Sequence, residues 1–374
     1  MKITILSTAY PLRGGIAHFI GLLYKELSKS HEVNVITFKR QYPSFLFPGK
    51  TQLEGGDTVE KIDTRILVDS INPLNWFRVG KLIKRESPDL LVYKYWMPFF
   101  APCFGTISRI AKKNGKTKVL TICDNVFPHE RKPGDKAFTN YFFKVVDYFV
   151  LLSEKVKEDL IKLKPGAKNE VLQHPVYSNF GEAVSKEEAK EFLKIKDEKL
   201  ILFFGFIRDY KGLDVLFDAM AELKNKINVK LVVAGEFYSN KDKYKKLIDD
   251  LGIEGSLYLF TDFIPTSEVK YYFSATDAVI LPYKDATQSG IVQIAMNFKK
   301  PVIAANAGGL GEVIHDDYTG FIVKKENPKQ LADAILRFYK ENKEHEFVNN
   351  ISKEVEKYSW SKFVEGIIEL LQNN

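Results

Sequence analysis

The sequence predicts an α/β protein of two doubly wound domains, each built on a parallel sheet. Three observations lead there. Short apolar runs rich in β-branched residues alternate with stretches of helical period, the mark of a parallel sheet covered on both faces. The pattern breaks at HPVYSNFGEAV, near 175–184, and then begins again. The chain has 374 residues, whereas a single core stops growing at about 250–300 residues.

Taken in order, the first strand is expected at Lys2–Ser7 and the first helix at Ile16–Leu27. Strands follow at Glu32–Phe38, Asp89–Tyr93, Lys118–Ile122 and Tyr148–Leu152, with a helical stretch at Tyr141–Val146. The second series places strands at Leu200–Phe204, Lys230–Ala234, Ser256–Phe260, Ala278–Leu281, Val302–Ala304 and Phe321–Val323. Leu213, Leu216, Met220 and Leu223 mark one face of an intervening helix. Tyr358–Leu371 reads as a terminal amphipathic helix. The expected domains are therefore 1–177 and 178–355, followed by the terminal segment 356–374.

A chain that is 45% hydrophobic and 28% charged is neither disordered nor collagen-like. Two cysteines, Cys103 and Cys123, exclude a disulfide scaffold and a four-cysteine zinc site. The six histidines form no HExxH-type pair, so no metal is expected. Nucleic-acid signatures are absent, as are Walker A and a GxGxxG after the first strand, so nucleic acid, P-loop and dehydrogenase readings are set aside. MKITILSTAY is too short and polar for a secretory h-region, and no run of roughly 20 residues is continuously apolar. The expected location is cytoplasmic, either soluble or peripheral on the inner face of a membrane. The net charge of +7 permits an anionic ligand or surface without selecting one.

In an open parallel sheet, ligands bind beyond the carboxyl ends of the strands, and three loops fall there. In YPLRGG, Gly14 and Gly15 allow close backbone approach before a helix N-terminus that favours anions; a simple tight turn explains them equally well. In GFIRDYKG, beginning at Gly205, Arg208 can grip phosphate oxygens as a fork and Lys211 can add a point charge. In DATQSGIVQIAM, the backbone N–H groups of Ser289, Gly290 and Ile291 can meet a phosphate or sugar oxygen, or Ser289 is an ordinary helix cap.

With these residues in view, the sequence resembles a GT-B glycosyltransferase of the retaining family four group, which uses nucleotide-sugar donors. YPLRGGIAHF, CDNVFPHE, LLSEKV, HPVYSNFG, FFGFIRDYKGLDVL, VVAGEF, ILPY, ATQSGIVQIAM and KKPVIAANAGGLGEVI carry the resemblance, in the family's order along nearly the whole chain. It implies two Rossmann-like domains facing across a cleft, the first binding acceptor and the second donor, with the last helix crossing back to the first domain. It implies that Gly14 and Gly15 lie near the donor phosphates, that Arg208 and Lys211 hold the diphosphate, and that Glu236 and Phe263–Ile264 approach the nucleoside. The donor is a nucleotide-diphosphate sugar, and no further cofactor is required.

Two departures stand out. The family usually carries two glutamates separated by seven residues in this last loop. Aligned on Gly290, Thr287 takes the first position; aligned on Ala295–Met296, Ala286 and Ile294 take the two. Asp285 and Gln288 are candidate substitutes, as are Gln293 and Glu312. In CDNVFPHE, Asp124 stands where many relatives have a histidine. Its carboxylate suits a sugar hydroxyl, acceptor orientation or base catalysis, or an Asx turn with Asn125. His18, Asn125, His129 and Glu130 complete the acceptor-side candidates. The missing acids keep two alternatives open: a non-catalytic nucleotide-sugar-binding partner, and an epimerase on the same scaffold.

Residues 72–118 hold ten Lys or Arg and two acids, so the rest of the chain is close to neutral. Trp76, Phe77, Tyr93, Tyr95, Trp96, Phe99, Phe100 and Phe104 are interleaved with them. This segment is expected to face an anionic membrane or a lipid-linked acceptor.

Overall fold

A computed structural model describes the chain except residues 44–51, 54–61, 129–131, 198, 239 and 374. It divides into two units, Met1–Pro175 with Tyr358–Asn374, and Val176–Lys357. The first unit runs β1 (Lys2–Leu6), α1 (Gly15–Leu27), β2 (Glu32–Arg40), β3 (Thr64–Asp69), α2 (Pro73–Glu86), β4 (Leu90–Tyr95), α3 (Ala101–Ala111), β5 (Lys118–Cys123), α4 (Asp135–Phe143), β6 (Tyr148–Leu151), α5 (Glu154–Leu163) and β7 (Asn169–Val171). Its seven strands lie in the order β3-β2-β1-β4-β5-β6-β7, all pairs parallel.

The second unit holds α6 (Lys186–Leu193), β8 (Leu200–Phe204), α7 (Leu213–Leu223), β9 (Lys230–Ala234), α8 (Lys241–Leu251), β10 (Leu257–Phe260), α9 (Val269–Ala275) and β11 (Ala278–Leu281). It continues through α10 (Gly290–Asn297), β12 (Val302–Ala305), α11 (Leu310–Val313), β13 (Gly320–Val323), α12 (Pro328–Lys340) and α13 (Lys343–Glu354). Its six strands run β10-β9-β8-β11-β12-β13 and are also parallel. The central strands of both sheets are buried throughout, as expected where helices cover both faces.

The last helix, α14 (Trp360–Gln372), belongs to the first unit. Its Trp360 and Phe363 pack edge-on against Phe19 of α1, with ring centres 4.9 and 5.7 Å away. His174 closes the same cluster at 5.1 Å from Phe19. A Cβ on Gly366 would stand 2.5 Å from Leu172, so this helix lies tight on the end of the sheet.

Several elements differ from the sequence reading. β3 and β7 are edge strands with partly exposed, polar-rich patterns, which hides them from an apolar-run criterion. The helix expected over Tyr141–Val146 instead begins at Asp135 and ends at Phe143. Lys164 Nζ donates to the Phe143 and Val146 carbonyls at 2.8 and 3.0 Å, and Lys112 Nζ to Val145 O at 3.1 Å, satisfying the groups freed where the helix stops.

The aromatic residues of 72–118 also call for correction. Tyr93, Tyr95, Phe100 and Phe104 are fully buried in the core of the first unit, and Trp76, Trp96 and Phe99 pack against it. Only Phe77 among the eight is exposed. A strand between covered faces must bury its side chains, so these rings are core and no surface belt.

Replacing Trp360 by Ala is expected to cost about 3–5 kcal/mol of stability by leaving a cavity against Phe19. Urea denaturation checks this, and an unchanged midpoint would mean that α14 does not hold the first unit together.

Candidate active site

Each sheet reverses its strand order once, between β1 and β4 and between β8 and β11. Loops diverge at such points and leave a crevice at the carboxyl edge. The described candidate residues lie at or near the carboxyl edges of the two sheets, which are taken separately.

In the second unit, Gly205 follows β8 with φ +95°. Ile207 N–H donates to Glu236 O at 2.8 Å and Tyr238 N–H to Ile207 O at 2.9 Å, so the loops after β8 and β9 extend the sheet pairing. Asp209–Lys211 makes one tight turn that ends at Gly212, φ +68°, where α7 begins. A Cβ on Gly212 would fall 2.0 Å from Pro282 O, so only glycine lets this loop close on the one after β11.

The turn carries Lys211 back over the β8 edge. Its Nζ lies 3.1 Å from where a Gly205 Cβ would stand, and Ile291 Cδ1 is 3.4 Å from that same point. Gly205, Lys211 and the start of α10 thus converge. Lys211 is buried, whereas Arg208 beside it is exposed with its guanidinium 5.4 Å from the Tyr238 ring centre. Among the described residues neither has a carboxylate partner. Burial, and then the charge of Arg208, lower the Lys211 pKa to about 8.

The loop before α10 is fixed from two sides. Gly309 N–H donates to Thr287 O at 3.1 Å, and a Cβ on Gly308 would sit 1.6 Å from Ala286 O. Ser289 caps α10 by accepting from Ile291 N–H at 3.3 Å. The Ile291 amide thus has a side-chain partner in the first turn of the helix. Asp285 is exposed at the mouth of the loop, and Gln288 is half-buried. Phe263 and Ile264 are half-buried beyond β10, and Glu236 is half-buried beyond β9. Lys284 is drawn off to α7, where it bonds Asp214 at 2.6 Å. Gln293 is buried within α10.

In the first unit, Gly14 precedes α1 with φ +108°, and a Cβ there would meet nothing within 4 Å. Gly14 thus borders open space beyond β1, and Gly15 after it is exposed. His18 is buried in α1, and burial lowers its pKa to about 4, so it is neutral at pH 7. Asp124 follows β5, its N–H donating to Tyr95 O at 2.9 Å. Its Oδ1 lies 2.6 Å from the ammonium of Lys94, which is fully buried on β4. Burial pushes the Lys94 pKa down while Asp124 acts against that shift. Asn125 keeps its side-chain oxygen out of solvent with no partner among the described residues. His129 and Glu130 lie outside the described residues.

Lys94 escaped the sequence reading because it was counted with the surface charges of 72–118. The available signal was its place inside LLVYKY, a single charge within an otherwise apolar strand. The Gly308 contact was missed too, although AGGLG stood among the family-like segments. Among the described residues no group of three or more His, Cys, Asp or Glu is placed to hold a metal ion.

Two doubly wound domains with these glycine-bordered turns define a transferase of the GT-B type. Residues 184–357 match the family model Glycosyl transferases group 1, and residues 13–178 match Glycosyltransferase Family 4. The chain belongs to this glycosyltransferase family, an enzyme class of glycosyl transfer. It is 24% identical to the uncharacterised glycosyltransferase MJ1178 of Methanocaldococcus jannaschii, over 98% of this chain and 97% of that one. The solved structure of HepE from Anabaena in complex with UDP matches with a TM-score of 0.77 at 17% identity, over 100% of both chains. Sucrose-phosphate synthase from Thermosynechococcus elongatus matches with a TM-score of 0.75 at 15% identity, over 100% of this chain and 99% of that one.

An anion must be met by the protonated form of Lys211. Pyrophosphate affinity relative to a Lys211→Arg variant is therefore expected to hold below pH 8 and to fall towards tenfold per unit above it. Calorimetric titration from pH 6.5 to 9.5 measures the ratio; a flat ratio would mean that Lys211 does not meet the anion.

Proposed function

We propose that the protein transfers a sugar from a nucleotide-diphosphate donor to a carbohydrate or lipid-linked acceptor, with retention, in glycan or cell-surface polysaccharide biosynthesis. The observation that carries this reading is the buried Lys211 ammonium, poised over Gly205 beside Arg208 with no carboxylate partner among the described residues. A cation placed so is stabilised by an anionic ligand, and a diphosphate is the anion that a leaving sugar exposes. The second unit binds the donor, and the first, with Asp124, the acceptor. The bond from the anomeric carbon to the diphosphate oxygen breaks, the acceptor oxygen bonds that carbon, and its proton leaves with the departing phosphate. Arg208 and Lys211 stabilise the charge that develops on the diphosphate. Gly205 and Ser289–Gly290 let it approach the backbone, while Glu236 and Phe263–Ile264 flank the nucleoside and Asp285, Thr287 and Gln288 the sugar. Because HepE was solved with UDP and with UDP-glucose, those two molecules are the first probes.

Arg208→Ala and Lys211→Ala are each expected to lower UDP release from UDP-glucose by about 10²–10³-fold, the loss typical of one charge-stabilising contact. Turnover within threefold of wild type in both variants would remove the diphosphate assignment.

The surface reading survives in a smaller form. Along α2, Leu74 is 81% and Phe77 51% exposed, with Ile71 exposed just before the helix. Arg78, Lys81, Lys84 and Arg85 follow on its exposed side, with no salt bridge among the described residues. Elsewhere in the segment Lys94, Lys112 and Lys116 pair with Asp124, Asp147 and Asp89. Two apolar tips followed by unpaired cations suit an anionic lipid surface. No helix among the described residues is long and apolar enough to cross a membrane. Co-sedimentation with phosphatidylglycerol vesicles is expected to drop at least fivefold in a Leu74→Ser/Phe77→Ser variant; equal binding to phosphatidylcholine vesicles would argue against a charged-lipid surface.

A further inference from the structure

Lys94 is an unusual occupant of its strand. β4 lies beside the switch point of the first sheet, and its other residues are Leu90, Leu91, Val92, Tyr93 and Tyr95, all buried. An ammonium there loses its hydration, and a buried pair contributes little net stability compared with apolar side chains of the same size. What such a pair does supply is a charge in a fixed place.

The surroundings of the ammonium are specific. Its Nζ stands 3.7 Å from the ring centre of Phe19 and 2.6 Å from Asp124 Oδ1. Among the described residues Asp124 is its sole ion-pair partner. Phe19 is itself held by His174, Trp360 and Phe363, so α1 and α14 together form an aromatic floor under the ammonium. His174 faces the same region with Nδ1 2.7 Å from Pro175 O and carries no charge at neutral pH. The main chain of Asp124 is tied to Tyr95, the residue next to Lys94. Floor and tether leave the ammonium one anion to meet, at the carboxyl edge where β5 ends.

We propose that Lys94 is the positioning residue of Asp124: its buried ammonium fixes that carboxylate in one orientation at the acceptor side of the site. The proposal rests on the reading of Asp124 as an acceptor-side group. Lys94 touches no substrate itself and acts through Asp124 alone.

Crystal structures of the Lys94→Met and Lys94→Arg variants test the placement directly. In Lys94→Met the Asp124 carboxylate is expected to leave its position, and in Lys94→Arg to keep it. UDP release from UDP-glucose is expected to fall at least tenfold in Lys94→Met and to recover to within threefold in Lys94→Arg, while UDP binding measured by calorimetry stays within twofold. In an Asp124→Asn background, Lys94→Met should cost less than twofold; that double variant buries no lone charge and carries the comparison if the single one does not fold. An unmoved Asp124 in Lys94→Met, or losses that multiply in the double variant, would overturn the proposal. A fully active Lys94→Met beside an impaired Asp124→Asn overturns the Lys94 assignment alone. A fully active Asp124→Asn removes the acceptor-side reading, and the proposal with it.

Discussion

A lysine ammonium removed from water needs a negative charge nearby, and the two halves of this chain meet that need differently. In the first, Lys94 has Asp124 at 2.6 Å. In the second, Lys211 is buried beside a second cation, Arg208, with no carboxylate among the described residues. The first arrangement holds its own counter-charge. The second has no such partner among the described residues and keeps both cations at one strand-to-helix turn. Desolvation lowers the pKa of both lysines; only at Lys94 does a carboxylate act against it.

The backbone around Lys211 depends on three close approaches that a side chain would block. Gly212 closes on Pro282 O, Gly235 on Gly205 O, and Gly308 on Ala286 O, where a Cβ would lie 2.0, 2.3 and 1.6 Å away. These contacts draw the loops after β8, β9, β11 and β12 into one edge. They also explain how the loop before α10 keeps its course without the family's two glutamates. Its path is set by backbone packing on Gly308–Gly309, and its helix start by the Ser289 cap.

Much of the fold was legible because its signals are local. A strand covered on both faces is apolar along most of its length, so β8, β9 and β11 could be read residue for residue. Edge strands obey no such rule, and β3 and β7 were accordingly invisible. Gly205, Arg208 and Lys211 were legible because the turn that joins them spans only a few residues. The basic, aromatic segment misled for the opposite reason. Its rings, Phe77 apart, lie in the core or against it, and several of its charges are paired with acids, Asp124 for Lys94 and Asp147 for Lys112.

The sequence by itself determined the α/β class and the central strands, which follow from local pattern, and the two cations of the turn after β8; the family it showed by the resemblance of motifs spread along nearly the whole chain. Tertiary structure alone decided which of those charges are buried and what each one meets. Lys94 and Asp124 are thirty residues apart in sequence and become neighbours only through the pairing of β4 with β5. Phe19 and Trp360 reach one cluster only because the last helix belongs to the first unit. Whether an ammonium is a solvated surface charge or a buried one depends on its surroundings in space, and no local pattern encodes those.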